Sequence, residues 1–228
     1  MNTVVIVVAC GKEEKISSGT ETAFLTLGSL PVLAHSLRTF QDSAAIDGII
    51  VAVSKDRVDS VMQVIKRFGC TKVCGIVVGS ANRLSTLRTV LAKMPEPAVT
   101  IVVHEASRPF VSHSVVTETV KAAKRYGCAI AAHRVPDAVK VVPKGLKPEK
   151  TLERNSAWLA QSPQAFKADV FEKILDAKNK NMKLIDDESA WVSPPAEVHL
   201  VEAGYRNMKI RTADDLVVAT AIFNAKKH

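Results

Sequence analysis

The sequence predicts an α/β fold: a three-layer domain with a mostly parallel, twisted sheet, helices on both faces and a projecting β-arm. Three observations carry this. Val4–Cys10 is an uninterrupted apolar run, rich in β-branched residues and without alternation, the pattern of a parallel strand covered on both sides. The first half of the chain then repeats strand-like and helix-like segments in turn, as βαβ crossovers do. Glycines also stand where helical segments stop, as C-terminal caps do.

The elements follow in order. After the first strand comes a loop, Ala9 to Leu25, and then a helix over Pro31–Gln41, with Pro31 suited to a first turn. Gly48–Ser54 is a second strand. Lys55–Phe68 repeats apolar residues at Val58, Val61, Met62, Ile65 and Phe68, one face of a helix, and ends at Gly69. Val73–Val78, a helix from about Asn82 to Met94, and Ala98–His104 continue the alternation. Ser112–Tyr126, closed by Gly127, and Cys128–Arg134 complete five strands with four helical crossovers.

The rhythm then breaks. Val135–Val142 and Lys150–Asn155 read as two strands joined by a turn-rich connection, Pro143 to Pro148. Their alternation is too polar for a core, so an arm at about 136–156 is expected to project from the domain. Glu197–Glu202 resumes the sheet. A last helix begins near Ala213, where Thr212-x-x-Asp215 fits a side-chain cap. No repeat, low-complexity stretch or linker divides the chain, so 1–228 reads as one domain.

Composition narrows the function classes. The 228 residues are 47% hydrophobic and 24% charged, an ordinary globular balance. The apolar run Val4–Cys10 is far short of the roughly 20 residues a membrane helix needs, and the N-terminus shows no signal-peptide pattern. A cytoplasmic protein is expected. Cys10, Cys70, Cys74 and Cys128 form no Cys-x-x-Cys pair and read as reduced and structural. The net charge of +8 comes from scattered Lys and Arg, and aromatic residues are only 5%. A site for phosphorylated small molecules therefore fits better than nucleic acid.

In open α/β sheets ligands bind beyond the carboxyl ends of the strands, so the loops there are the candidates. Ala9-Cys10-Gly11-Lys12-Glu13-Glu14-Lys15 can offer backbone N–H groups to a phosphate, although a plain surface loop explains the same residues. Lys12, Glu13, Glu14, Lys15 and Glu21, two lysines against three glutamates, sum to −1. Val78-Gly79-Ser80-Ala81-Asn82-Arg83-Leu84-Ser85-Thr86 reads as a base or phosphate contact, or as a capped helix start. Glu105 and Arg108, three apart after a buried strand, read as a metal carboxylate and a phosphate guanidinium, or as a surface pair. Asp186-Asp187-Glu188 reads best as a solvated acidic loop, and the histidines as structural.

Taken in order, these segments resemble the 2-C-methyl-D-erythritol 4-phosphate cytidylyltransferase family of the non-mevalonate isoprenoid pathway, over nearly the whole chain. The family's Ala-(Ala/Gly)-Gly-x-Gly-x-Arg-Met loop, its Pro-Lys-Gln-(Phe/Tyr)-Leu end and its Pro-Val-Leu-x-His segment are matched by Ala9–Ile16, Glu21–Leu25 and Pro31–His35. Gly79–Leu87 resembles Gly-Gly-x-x-Arg-x-x-Ser-Val. His104-Glu105-Ala106-Ser107-Arg108-Pro109 resembles His-Asp-Ala-Ala-Arg-Pro, and this match, with Arg154-Asn155 and Ser162-Pro163-Gln164-Ala165-Phe166, is the most specific.

The resemblance implies a Rossmann-like nucleotidyltransferase fold and a reaction in which CMP passes from CTP to a sugar-alcohol phosphate, releasing pyrophosphate with Mg²⁺. It implies a homodimer that exchanges its β-arms, so that Arg154 reaches the partner's site. Carried over by position, Ala9, Cys10 and Gly11 line the nucleotide through their backbones, and Ser80 and Thr86 stand near the base. Lys15, Arg154 and Lys209 take the catalytic positions. Glu105, Arg108 and Ser162 take the substrate positions, and Glu105 also that of a metal ligand. The loop departs from the family at Thr22, which replaces its lysine, and at Glu13, which replaces its second glycine. Ala138 replaces the arm's threonine, with Asp137 and Lys140 kept. Two other readings follow from these departures: a pentitol phosphate such as ribitol 5-phosphate as acceptor, or a non-catalytic ligand-binding dimer of the same fold.

Overall fold

The computed structural model describes residues 1–11, 14–16, 19–95, 97–176 and 187–225. Lys12, Glu13 and Asp186, all used in the sequence reading, lie outside the described residues.

The chain opens with strand β1 (Thr3–Val8), then a short hairpin of β2 (Thr26–Leu27) and β3 (Leu30–Pro31) leading into helix α1 (Val32–Asp42). Three further strand and helix units follow, β4 (Gly48–Val53) with α2 (Val58–Phe68), β5 (Val73–Val78) with α3 (Arg83–Ala92) and β6 (Thr100–Glu105) with α4 (His113–Tyr126), and then strand β7 (Gly127–Arg134). The arm is β8 (Val139–Val141) and β9 (Lys150–Leu152). Then come β10 (Trp158–Lys167), α5 (Ala168–Leu175), β11 (Glu197–Glu202) and α6 (Ala213–Ala225).

Seven strands form the main sheet in the order β11-β7-β10-β6-β1-β4-β5. β1 pairs parallel with β4 and β6, β4 with β5, and β11 with β7, whereas β10 runs antiparallel to both β6 and β7. Every residue of β1 is buried, as its unbroken apolar run demands. Val5 and Val7 pack on the face covered by α1, α2 and α4, and Val4, Ile6 and Val8 on the face covered by α3 and α5. A third, smaller cluster joins Leu27 and Val32 to Phe110, Ile210 and Ala219 of α6.

Local chemistry sets the helix ends. Gly69 adopts φ 60°, ψ 38° and donates its N–H to the Ile65 carbonyl, which closes α2. The Ser112 hydroxyl accepts the Val115 N–H at 3.2 Å and opens α4. At α6, Thr212 Oγ1 accepts the Asp215 N–H at 3.1 Å, while Asp215 Oδ2 accepts the Thr212 N–H at 2.9 Å. That reciprocal pair is the side-chain cap expected there.

Three local expectations need correction. Pro31 lies in β3 with ψ 145°, just ahead of α1 rather than in its first turn, because its fixed φ suits the extended entry equally well. The arm strands are three residues each, shorter than the alternation suggested, since nothing beyond their own pairing extends the ladder. The sequence reading had no strand at Trp158–Lys167 and no helix at Ala168–Leu175. Pro163 has no N–H to give a ladder, and polar residues around it are atypical of a central strand. The register shifts between Ala160 and Gln164, so a bulge at that point relieves Pro163 of a ladder bond.

Candidate functional site

The carboxyl ends of β1, β5 and β6 open onto one edge of the sheet. In the β1–β6 register Val8 pairs with Glu105, so the Ala9–Gly11 turn and the Glu105–Pro109 loop leave the sheet side by side. Ala106 donates its N–H to the Val8 carbonyl at 2.9 Å, and Gly79 donates to Val53 at 2.9 Å. The loop after β11 completes the group: the Ile210 N–H bonds the Ser107 carbonyl at 3.0 Å and so brings Lys209 to the same edge.

Six ionisable side chains meet there, and all are almost withdrawn from water. Glu105 is 3% exposed. Its Oε2 accepts Arg108 Nε at 2.6 Å and its Oε1 accepts Lys209 Nζ at 2.6 Å. Lys209 also lies 3.2 Å from Glu14 Oε1. Arg83 Nη1 stands 3.9 Å from Glu105 Oε1, and Arg83 grips Glu188 through Nε at 2.5 Å and Nη2 at 3.0 Å. Three carboxylates thus balance three cations. A buried charge persists only when paired and hydrogen-bonded, and this cluster meets that condition without solvent.

The pKa directions follow from this arrangement. Burial alone would raise Glu105, but Arg108, Lys209 and Arg83 hold it well below the usual carboxylate range. For Glu14 burial prevails, helped by the negative Glu105, and pushes it up despite Lys209 and Arg83. Burial would lower Arg83, yet Glu188 raises it. Glu105 is therefore the firmly ionised acid of the cluster and Glu14 the weaker one.

A neutral chain of hydrogen bonds supports the cluster from below. The Glu105 N–H donates to Ser162 Oγ at 3.0 Å, and Ser162 Oγ lies 3.1 Å from His104 Nδ1. His104 Nε2 faces the Arg108 carbonyl at 3.2 Å. A carbonyl only accepts, so Nε2 carries the hydrogen and the Ser162 hydroxyl donates to Nδ1. Burial lowers His104 to about 3, which keeps the ring neutral. Asn207 adds the last brace: its Nδ2 donates to Gln161 Oε1 at 2.9 Å and to the Ser162 carbonyl at 2.8 Å, and its carbonyl accepts Arg108 Nη1 at 2.9 Å.

The sequence-proposed residues divide into those this cluster joins and those it does not. Glu105, Arg108 and Lys209 form its centre, so the reading of Glu105 and Arg108 as a surface pair is overturned by their burial. Ser162 is 2% exposed, and its hydroxyl is engaged with Glu105 and His104. Ala9 and Cys10 are buried, and Gly11 adopts φ 107° with no heavy atom nearer than 3.8 Å to where a Cβ would stand. Burial pushes the Cys10 thiol up to about 11, so it is no nucleophile at neutral pH. Ser80 and Thr86 shape the turn after β5: the Ser80 N–H donates to Thr86 Oγ1 at 2.9 Å, and Thr86 Oγ1 donates to the Asn82 carbonyl at 3.0 Å. Lys15 is exposed and forms an isolated antiparallel bridge with Glu21. Arg154 is exposed in a 3₁₀ turn beside the arm and takes part in no ion pair of the cluster.

Four side chains of the cluster were not singled out from sequence. From sequence Glu14 enters only as loop charge, Arg83 only as part of a motif, Glu188 only within a solvated acidic loop, and Asn207 with no role of its own. Glu188 is fully buried, and Asp187 Oδ1 accepts the Ser189 N–H at 3.0 Å and Gln164 Nε2 at 3.1 Å, so the solvated reading is corrected. No local spacing announces these partners, because each contact joins distant segments. The loop sum of −1 also misleads: Glu14 is paired with Lys209, and Glu21 with Arg57 Nε at 2.8 Å and Ser54 Oγ at 2.7 Å. Thr22 is fully buried, and its Oγ1 has no hydrogen-bond partner.

The arrangement does not fit a magnesium ion held by Glu105. A hard cation needs oxygen ligands free to face it, and both Glu105 oxygens already face cations. Among the described residues no group of three or more His, Cys, Asp or Glu could hold a metal ion. The cations themselves suit an oxyanion: they are fixed in advance, shielded from water, and gathered beyond the strand ends.

Residues 3–225 match the family model described as 2-C-methyl-D-erythritol 4-phosphate cytidylyltransferase. A curated relative of that name from Lysinibacillus sphaericus is 32% identical over 223 residues, covering 97% of this chain and 96% of its own. The crystal structure of a 4-diphosphocytidyl-2C-methyl-D-erythritol synthase from Anaerococcus prevotii superposes with a TM-score of 0.84 over 98% of this chain and 96% of that one; at 23% identity it speaks to the fold. The Francisella tularensis 2-C-methyl-D-erythritol 4-phosphate cytidylyltransferase, 26% identical, gives a TM-score of 0.75 over 97% of this chain and 99% of its own.

Proposed function

The chain belongs to the 2-C-methyl-D-erythritol 4-phosphate cytidylyltransferase family, and we propose that it transfers CMP from CTP to 2-C-methyl-D-erythritol 4-phosphate. An oxygen of the acceptor's phosphate attacks the α-phosphorus of CTP, a new P–O bond forms, and the bond to the bridging oxygen breaks. Pyrophosphate leaves with that electron pair. Acceleration in such transfers comes chiefly from positioning and from charges set against the developing negative charge.

The observation that carries this reading is the gathering of Arg83, Arg108 and Lys209 around Glu105 at the carboxyl edge of the sheet. In this reading Arg108 and Lys209 meet the acceptor phosphate. Glu105 holds both cations in place, and Ser162 and His104 fix Glu105. The Ala9–Gly11 turn and the Ser80–Thr86 turn flank the nucleotide. Arg154, carried by the arm, enters the site of a second subunit in a homodimer. The test is pyrophosphate release from CTP and 2-C-methyl-D-erythritol 4-phosphate with Mg²⁺ present, with ribitol 5-phosphate in a parallel reaction. Release with the first acceptor is expected, and none at high enzyme concentration overturns the reading.

A further inference from the structure

Three hydrogen-bond donors converge on one carboxylate at the heart of the cluster. Glu14 Oε2 accepts the Ser107 N–H at 3.2 Å, and Glu14 Oε1 accepts the Ser107 hydroxyl at 3.2 Å and faces Lys209 Nζ at 3.2 Å. A backbone N–H, a hydroxyl and an ammonium aimed at one point form a seat for an oxyanion. Glu14 comes from the loop after β1, whereas Ser107 and Lys209 belong to segments anchored to the sheet. We infer that Glu14 is a built-in counter-anion, seated where a phosphate monoester binds, and that such a ligand reaches Ser107 and Lys209 by displacing it.

The distances identify Glu14, rather than Glu105, as the displaceable acid. All three Glu14 contacts are 3.2 Å, while Glu105 holds Arg108 and Lys209 at 2.6 Å each. Charge-assisted bonds are strong near 2.7–2.9 Å and weaken beyond. Glu14 is also 2% exposed, so its ionised form gains little from water while it remains there. A phosphate entering as Glu14 leaves keeps Lys209 paired, and the leaving carboxylate regains hydration. Glu14 thus sets how tightly the phosphate end of a substrate is held, and selects ligands with enough charge to replace it.

This inference rests on the transferase reading for the identity of the substrate, but its test does not need turnover. Inorganic phosphate is titrated by calorimetry into the wild-type chain, into Glu14→Gln, and into Glu14→Gln combined with Ser107→Ala. Removing the competing charge is expected to tighten phosphate binding roughly tenfold, since a ligand's apparent affinity scales with the fraction of sites open to it. Adding Ser107→Ala is expected to reverse most of that gain and so locate the ion. Equal or weaker binding by a folded Glu14→Gln overturns the inference, as does a gain that ignores Ser107. Should Glu14→Gln fail to fold, Glu14→Asp serves: its shorter side chain withdraws from the seat, and phosphate binding must again tighten. Glu14-dependent phosphate binding without pyrophosphate release refutes the transferase reading alone. Release with no effect of Glu14 refutes this inference alone.

Discussion

Arg83 and Glu188 stand 105 residues apart in sequence and meet as a two-pronged ion pair, with Glu188 fully buried. The pair ties the start of α3 to the segment before β11 and holds Arg83 toward Glu105. Replacing Glu188 with Ala strands a buried guanidinium, and removing one partner of such a pair costs about 3–5 kcal/mol. Urea denaturation of Glu188→Ala should show a loss of that size. A loss within about 0.5 kcal/mol, typical of surface substitutions, would mean that the pair contributes nothing.

Lys209 bridges Glu105 and Glu14, and in the proposed reaction it meets the acceptor phosphate. Lys209→Gln keeps a polar side chain, one atom shorter, but leaves two carboxylates without their common cation. Pyrophosphate release should fall by about 10²–10³-fold, the usual effect of losing one preorganised charge. Turnover near the wild-type rate in this variant would remove Lys209 from the chemistry.

The arm's role can be tested by mixing subunits. If Arg154 serves a neighbouring subunit, Arg154→Gln and Lys209→Gln are each inactive alone, yet their hybrid dimer contains one site with both residues intact. Co-refolding the two variants should therefore restore measurable activity. No recovery, with mixed dimers verified by mass, would place Arg154 in its own subunit's site or outside any site.

Acid should weaken the fold through His104. The ring titrates at 6.5 when unfolded and near 3 when folded, because burial disfavours its charged form. Between those values the unfolded chain binds a proton that the folded chain does not, so stability declines as pH falls across that window. Glu105, whose folded pKa is depressed, adds a loss of the same sign as pH falls below its unfolded value, while Glu14, pushed up by burial, acts in the opposite sense. Comparing wild type with His104→Gln isolates the histidine: urea midpoints of the variant should vary less between pH 6.5 and pH 4.5. Identical pH profiles would contradict the assignment.

A methyl group at Gly79 would sit 2.4 Å from Cys10 Sγ and 2.8 Å from Thr86 Cγ2. Overpacking of this kind typically costs about 1–3 kcal/mol. Gly79→Ala should lower the melting temperature, and Cys10→Ala should relieve part of the loss when the two are combined. Simple additivity of the two changes would show that the turns after β1 and β5 do not meet at Cys10 and Gly79.

The sheet was legible because its signals are local. A short, unbroken apolar run rich in β-branched residues such as Val4–Cys10 reads as a strand covered on both faces, and Gly69, Ser112 and Thr212 mark helix ends through bonds to near neighbours. The site was legible only where a motif kept its acidic and basic residues together, as at Glu105 and Arg108. Glu14, Asn207 and Glu188 escaped because their partners lie far along the chain, where burial, invisible in a residue's identity, decides what a charge does. The strand Trp158–Lys167 escaped because a bulge excuses the proline that argued against it.

That strand has a consequence for how the molecule is made. β10 is inserted between β6 and β7, near the middle of the sheet, although it is among the last strands in the chain. Until residue 167 has left the ribosome, β6 presents an unsatisfied edge, and β7, which pairs in the sheet only with β10 and β11, has no partner strand. Exposed edges of this kind invite pairing with other chains, and closure across long sequence separations is slow. Biogenesis therefore has a vulnerable interval: it closes at β6 when Gln164–Lys167 pair with Thr100–Val103, the same event that brings Ser162 beneath Glu105, and at the far side of β7 only when Glu197–Glu202 pair there.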